Sequence, residues 1–361
     1  MPRALALISV HRQEGASMGE AFGWDVPLHY GSAVAEHAAV REGLGVVDRS
    51  LLGKAMVTGR DRAAFLQGML SNDVKALAPG QGCAAAFLDA HGKVMALLDV
   101  YAAEDRLLLV LPPSLTEKTL QLLDRYLISE KAYFETADEA WAVLTVLGPR
   151  AGAAVAAALD RPVALSDHEH VEGAIGEAPV RVIESGLPGV PGYACWTAAE
   201  HGPTLWRALR EAGARPVGSA AYEILRVEAG VPSYGVDVDE TVILPELRRE
   251  DLISYTKGCY IGQEVVARVK YRGHVNRALC GLVLGGQRVP QPGARVMAGG
   301  KDVGRVTSAV RSPAIGAPIA LGYVRREHLE PGSAVEIADG DATTPARVAA
   351  LPFADGSAGS A

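Results

Sequence analysis

Apolar residues recur at helical spacing in some stretches of the chain and alternate in others, and the two textures interleave as far as about residue 276. Over residues 29–45, Val34, His37, Ala38 and Val40 share one helical face, with Ser32 placed to cap it and Gly43 or Gly45 to stop it. A strand over 54–58 leads through Gly59 into a helix over 61–70. Strand-like runs over 83–89, 93–102 and 106–111 are joined by Ala90-His91-Gly92 and Glu104-Asp105, which predicts a meander. Ser114-Leu-Thr-Glu117 reads as a capping box opening a helix to Leu127, its hydroxyl and carboxylate each satisfying a free backbone N–H. Strand pairs follow over 131–147 and 170–184, interleaved with helices starting near Pro149 and Pro203, residues suited to a first helical turn. The pattern is α+β.

Beyond residue 276 helical periodicity disappears. Short strands over 278–284, 295–297, 302–309, 319–324, 334–337 and 346–350 lie between Gly285-Gly286, Gly299-Gly300 and Pro331-Gly332. Regular short strands between turns predict a small all-β barrel or sandwich. The expected organisation is two interleaved α+β subdomains over 1–275, a β domain over 276–354 and a flexible Gly/Ser/Ala tail over 355–361.

The 361 residues carry a net charge of −7, with 49% hydrophobic and 21% charged residues. That balance excludes a disordered chain and a general polyanion-binding surface, so no direct nucleic-acid partner is expected. No apolar run approaches the ~18 residues that span a bilayer, and the short run over 4–10 lacks a following Ala-x-Ala site. No membrane partner is expected either. Cysteines at 83, 195, 259 and 280 form neither a metal-type pair nor a disulfide framework, which fits a reduced, cytoplasmic compartment.

Candidate chemistry concentrates in Thr256-Lys-Gly-Cys-Tyr-Ile-Gly-Gln-Glu-Val-Val-Ala-Arg268. Ile261, Val265, Val266 and Val269 fall at helical spacing, so a helix is expected to begin near Tyr260 or Ile261. Cys259 would then sit at the helix N-terminus, where unpaired N–H groups and the nearby Lys257 favour a thiolate. The bland alternative is a small buried cysteine, the reading adopted for Cys83, Cys195 and Cys280 within apolar runs. His168 and His170, flanked by acids, read as a solvated loop, and the glycines between 186 and 192 as a turn-rich segment without a phosphate loop.

Lys257-Gly-Cys-Tyr-Ile-Gly-Gln-Glu264, followed by Ala267-Arg268 and Tyr271-Arg272-Gly273, resembles the signature of YgfZ-type proteins. These are folate-binding relatives of the glycine cleavage T-protein that support iron–sulfur cluster assembly or repair and, indirectly, tRNA modification. Phe22-Gly-Trp-Asp25, Pro27-Leu-His-Tyr-Gly31 and Arg226-Val-Glu-Ala-Gly230 are similar to T-protein itself, and Phe65-Leu-Gln-Gly68 and Asp89-Ala-His-Gly-Lys93 to both branches. The resemblance implies three domains around a central hole holding tetrahydrofolate or a related folate, the last domain a small β-barrel. It assigns the function to Cys259 and Lys257, with Arg226, Tyr234, Gly258, Tyr260 and Gln263 around the folate, no metal ion, and iron–sulfur client or assembly proteins as partners. Cys259 as nucleophile, redox thiol or transient cluster contact all stay open.

Departures from the T-protein pattern bear on the choice of branch. The strand after Gly92 carries Ala96 and Leu97 where T-protein has the acid that works beside the folate nitrogen, so aminomethyl transfer is not expected. Asp99 lies on the face of Leu97 but more than about 6 Å further along the strand. Val190 stands where a pterin-pairing carboxylate is expected and Pro112 where an asparagine is. The alternative reading is a tetrahydrofolate-dependent aminomethyl or methyl transferase of the T-protein type; a third is a scaffold that only binds partners.

Overall fold

A computed structural model describes residues 2–353; the tail expected over 355–361 lies outside the described residues. The fold is a mixed α+β arrangement whose strands form a three-stranded, a five-stranded and a six-stranded sheet and a closed six-stranded barrel. The helix expected near residue 29 runs over Ala33–Glu42, where the Ser32 hydroxyl accepts from the Ala35 N–H at 3.4 Å and Gly43 ends it. The meander forms as Gly82–Leu88, Val94–Ala102 and Leu107–Leu111, and Gly53–Thr58 and Tyr133–Thr136 complete the five-stranded sheet.

Alternation along these strands builds two faces. Ala96, Leu98 and Val100 pack with Phe65 and Leu66 of the helix Arg62–Met69. On the opposite face Tyr101, Leu108 and Val110 meet Val143, Ile183, Ala194 and Trp196 of the six-stranded sheet, so the two sheets share one apolar layer.

Two local expectations give way to tertiary constraints. Residues 131–147 do not form a strand pair: Tyr133–Thr136 joins Gly53–Thr58, whereas Trp141–Leu147 lies in the six-stranded sheet between Gly192–Ala198 and Gly45–Asp48. The chain crosses between subdomains there. The capping box at Ser114 does not form either. The helix spans Thr116–Asp124, and Ser114, at φ 63° after Pro112-Pro113, donates its hydroxyl to the Phe22 carbonyl at 2.9 Å.

The barrel strands Arg277–Leu284, Arg295–Ala298, Lys301–Arg311, Pro318–Arg325, Ala334–Asp339 and Ala342–Ala349 close on a core that includes Leu282, Val296, Val324, Ile337 and Val348. Leu279, Val283, Ile319, Leu321 and Tyr323 point the other way, into a shared core with Leu88, Val94, Val227, Leu244 and Tyr260. Period-two alternation therefore fills the barrel and docks it at once.

A buried guanidinium reinforces that docking. Arg226, on the helix Ser219–Glu228, donates to Asp237 Oδ2 at 2.7 Å, the Ser308 hydroxyl at 2.8 Å, the Val231 carbonyl at 2.5 Å and both carboxylate oxygens of Glu223. Asp237 is fully buried and also accepts from Thr307 and Ser308 of the barrel. Removing one member of a buried ion pair costs about 3–5 kcal/mol because the other charge stays desolvated. Arg226→Leu is therefore expected to lower unfolding free energy by that amount in urea denaturation, with Arg226→Lys, which lacks the planar fork, intermediate.

Candidate functional site

Where the two sheets and the barrel converge, the fold encloses a cavity of about 1040 Å³. Leu97, Asp99 and Tyr101 line it from one strand, Val190 and Glu184 from the six-stranded region, Arg249 and Asp251 from a short turn, and Leu279 and Leu351 from the barrel side. Strand alternation decides which residues face it: Ala96 is fully buried in the core beneath the helix Arg62–Met69, whereas Leu97 and Asp99 border the open space. An acid at position 96 would lie on the wrong face; Leu97 is the apolar replacement that matters, and Asp99 is the carboxylate this strand offers to the cavity.

Asp99 has a partner that the sequence reading placed in a solvated loop. His168 sits at φ 60° and turns its ring into the cavity wall, Nε2 lying 3.3 Å from Asp99 Oδ1 and Nδ1 2.9 Å from Asp167 Oδ1. A carboxylate at each nitrogen favours hydrogen on both, and so favours the imidazolium form. Burial disfavours that charge, but the hydrogen bond and charge of Asp99, with Asp167 and Glu184, outweigh it and hold the pKa up at about 9. Tyr101 lies nearly parallel to the ring, centroids 6.1 Å apart, with its own pKa raised well above the usual phenol value by burial and by Asp99. His170 turns away from the cavity: its Nε2 meets the Ala102 carbonyl at 2.9 Å and its Nδ1 faces Arg181 at 2.8 Å. Glu184 is raised by burial and by Asp167. Arg249 forms a two-pronged pair with Asp251, at 2.8 and 2.6 Å.

The residues singled out in the sequence separate into two places. Arg226 and Tyr234 border the cavity, Arg226 with its donors spent on the clamp and Tyr234 with its hydroxyl donating to the Val94 carbonyl at 3.2 Å. Lys257, Gly258, Cys259, Tyr260 and Gln263 form a separate segment that contributes none of the cavity wall. Lys257 is buried, its ammonium donating to the carbonyls of Gln67, Leu70 and Asn72 at 2.6, 2.6 and 2.8 Å. Its pKa is pulled down to about 8 by burial, opposed by Asp73. Tyr260 packs in the core shared with the barrel, under the Lys257 ammonium at 5.0 Å. Gly258 and Cys259 are exposed.

The following helix spans Gln263–Arg272, not from Tyr260 or Ile261, because Gly262 takes the left-handed conformation at φ 83° immediately before it. A Cβ at 262 would lie 2.6 Å from the Asp89 carbonyl oxygen, so the helix starts where it locks against the hairpin turn. Cys259 thus precedes the helix by a turn of irregular chain, and the dipole argument for its thiolate does not apply. Sequence reasoning missed His168, Glu184, Arg249 and Asp251; the alternating acids and histidines over 167–170 were the available signal.

Comparison with known proteins fits this architecture. The GCVT N-terminal domain family matches residues 7–257, and the glycine cleavage T-protein C-terminal barrel domain matches residues 277–355. The chain belongs to the glycine cleavage T-protein family. It is 32% identical to a protein named aminomethyltransferase from Streptomyces coelicolor, over 97% of each chain. To those of Rubrobacter xylanophilus and Chloroherpeton thalassium it is 32% and 31% identical, over 97% and 96% of this chain and 94% and 97% of theirs. The crystal structure of glycine cleavage system aminomethyltransferase T from Bartonella henselae shares the fold, with a TM-score of 0.90, 23% identity and coverage of 98% of this chain and 99% of that one. These likenesses support the T-protein family as a whole rather than the YgfZ branch.

Lys257 is a structural tie in this arrangement. Lys257→Met is expected to remove the ammonium donor shared by the Gln67, Leu70 and Asn72 carbonyls and to lower stability by about 1–3 kcal/mol, read from the urea unfolding midpoint.

Proposed function

We propose that this protein binds a reduced folate in its central cavity and acts as a tetrahydrofolate-dependent aminomethyl or methyl transferase of the T-protein type. The observation that carries the reading is the cavity itself, whose wall combines apolar side chains with the Asp99–His168 pair. Its 1040 Å³ lies at the upper end of the ~300–1,000 Å³ typical of small-molecule sites. Leu97, Val110, Trp196 and Leu252 are apolar residues of the wall that can pack against a heteroaromatic ring. Val190, buried and apolar, supplies no acceptor for the ring edge, but Glu184 and Asp167 border the same space and can accept its N–H groups. Arg248, also on the wall, offers positive charge for a carboxylate tail. Bound tetrahydrofolate supplies the amine nitrogens that carry a one-carbon unit; the protein contributes positioning, dryness and a proton-handling pair. Relatives that bear the name aminomethyltransferase along nearly their whole length support this reading.

A second reading is favoured by one observation: Cys259 is exposed within the segment 257–264 that resembles the YgfZ signature. Under it the protein is a folate-binding accessory factor for iron–sulfur cluster assembly or repair, meeting client or assembly proteins through that thiol. Both readings fit a reduced, cytoplasmic setting, with four unpaired cysteines and no helix among the described residues long and apolar enough to cross a membrane.

Calorimetric titration with tetrahydrofolate tests the shared premise. The wild-type protein and Cys259→Ser are expected to bind, and Leu97→Trp, which pushes an indole from the wall into the space beside Asp99, is expected to bind more weakly; equal binding by Leu97→Trp would place the ligand elsewhere. Turnover with tetrahydrofolate and an aminomethylated lipoyl carrier separates the readings. The transferase reading requires turnover that Cys259→Ser retains. The accessory-factor reading requires no turnover, and loss of complementation of a cluster-assembly defect by Cys259→Ser.

A further inference from the structure

Asp99 and His168 come from segments 69 positions apart and meet only on the cavity wall. One is the sole carboxylate on the cavity-facing side of the strand Val94–Ala102, and the other is held there at some expense of backbone conformation. At φ 60° His168 occupies a region that costs a non-glycine residue on the order of 1–3 kcal/mol, and the surrounding turn keeps it there. The Ser166 N–H donates to Glu169 Oε2 at 2.9 Å and the His170 N–H to the Gly80 carbonyl at 2.8 Å, bracketing the ring on both sides. The His168 side chain is 20% exposed and that of Asp99 39%, so both are screened yet reachable from the cavity.

We propose that Asp99 and His168 are the acid–base pair of this cavity, holding a proton between Oδ1 and Nε2 and exchanging it with the reacting amine and the departing group; this rests on the transferase reading above. Asp99 accepts the proton that an amine nitrogen sheds on bonding, through its lone pair, to an incoming carbon. His168 Nε2 gives its proton to the heteroatom that leaves that carbon with the bonding electron pair. The proton on Asp99 then crosses the hydrogen bond to Nε2, and the pair ends as it began, with no oxidant or reductant consumed. The pair thus replaces the carboxylate that Leu97 excludes.

The groups facing His168 set its charge. Asp99 and Asp167 lie at its two nitrogens, Tyr101 lies against its face, and Glu184 from the strand Ala178–Glu184 adds a further raising charge. Asp251 and Arg249 border the cavity from the turn opposite. With its pKa near 9, the ring is protonated at neutral pH and serves as the acid, and activity should decline as pH rises through about 9.

Two variants test this in the full-length protein. His168→Asn suits the left-handed backbone, and Asp99→Asn keeps the shape of the strand residue. Proton NMR of the folate-free protein should show His168 titrating near pH 9, and more than one unit lower in Asp99→Asn. Calorimetric affinity for tetrahydrofolate should stay within about threefold in both variants. kcat for transfer from an aminomethylated lipoyl carrier should fall about 100-fold or more, as expected for loss of general acid–base catalysis. A kcat within threefold of wild type in His168→Asn, with folate still bound, would overturn the pair's role while leaving the transferase reading intact. Wild-type protein that binds no tetrahydrofolate, or binds it without turnover, would instead overturn the transferase reading and this role with it.

Discussion

A single buried guanidinium holds the parts of this chain at the spacing that leaves a cavity between them. Arg226 donates to its own helix, to the loop carrying Asp237 and to barrel residue Ser308, and Asp237 returns the contact by accepting from Thr307 and Ser308. The Arg226 guanidinium and the Asp237 carboxylate are both buried and cannot turn to water instead, so helix, loop and barrel stay in register or the charges are stranded. The apolar layer around Leu279, Leu321, Val227 and Leu244 supplies the nonspecific attraction; the ionic network specifies the placement. Lys257 does the same on the other flank, its ammonium binding three carbonyls around the end of the helix Arg62–Met69.

The chemistry of the wall follows from strand geometry. Along the middle of Val94–Ala102, Ala96, Leu98 and Val100 pack in the core while Leu97, Asp99 and Tyr101 face the cavity, which makes Leu97 and Asp99 neighbours across about 7 Å of one face and leaves Ala96 behind it. A carboxylate two residues down the strand is a different tool from one at position 97. It needs a second group to reach a reacting atom, and His168 stands against it with a charge that three carboxylates maintain. The exposed Cys259, by contrast, lies between two structural contacts: Lys257 ties the segment to the end of the helix Arg62–Met69, and Gly262 sets the helix Gln263–Arg272 against the hairpin turn at Asp89.

Legibility in the sequence tracked the range of the interactions involved. The helix Ala33–Glu42, the meander and the barrel strands were readable because each is specified by its own periodicity and punctuation, as with Ser32 and Gly43. The assignment of Tyr133–Thr136 and Trp141–Leu147 to different sheets was not, since both are plain strands and only distant partners distinguish them. Ser114 misled because a carbonyl 92 positions away competed for its hydroxyl. At the site, Arg226, Tyr234 and Asp99 were visible as residues, but the Asp99–His168 pairing exists only after the chain returns through the six-stranded sheet. Lys257 drew attention for its position beside a cysteine; its three carbonyl partners lie nearly 190 residues earlier.

Hydrogen–deuterium exchange with and without tetrahydrofolate tests the claim that the central cavity, not the surface around Cys259, is the binding site. The account predicts added protection over 97–101, 165–168, 184–190 and 230–234, with the segment 257–260 unchanged. Protection confined to 257–264, or none anywhere at saturating ligand, would contradict it.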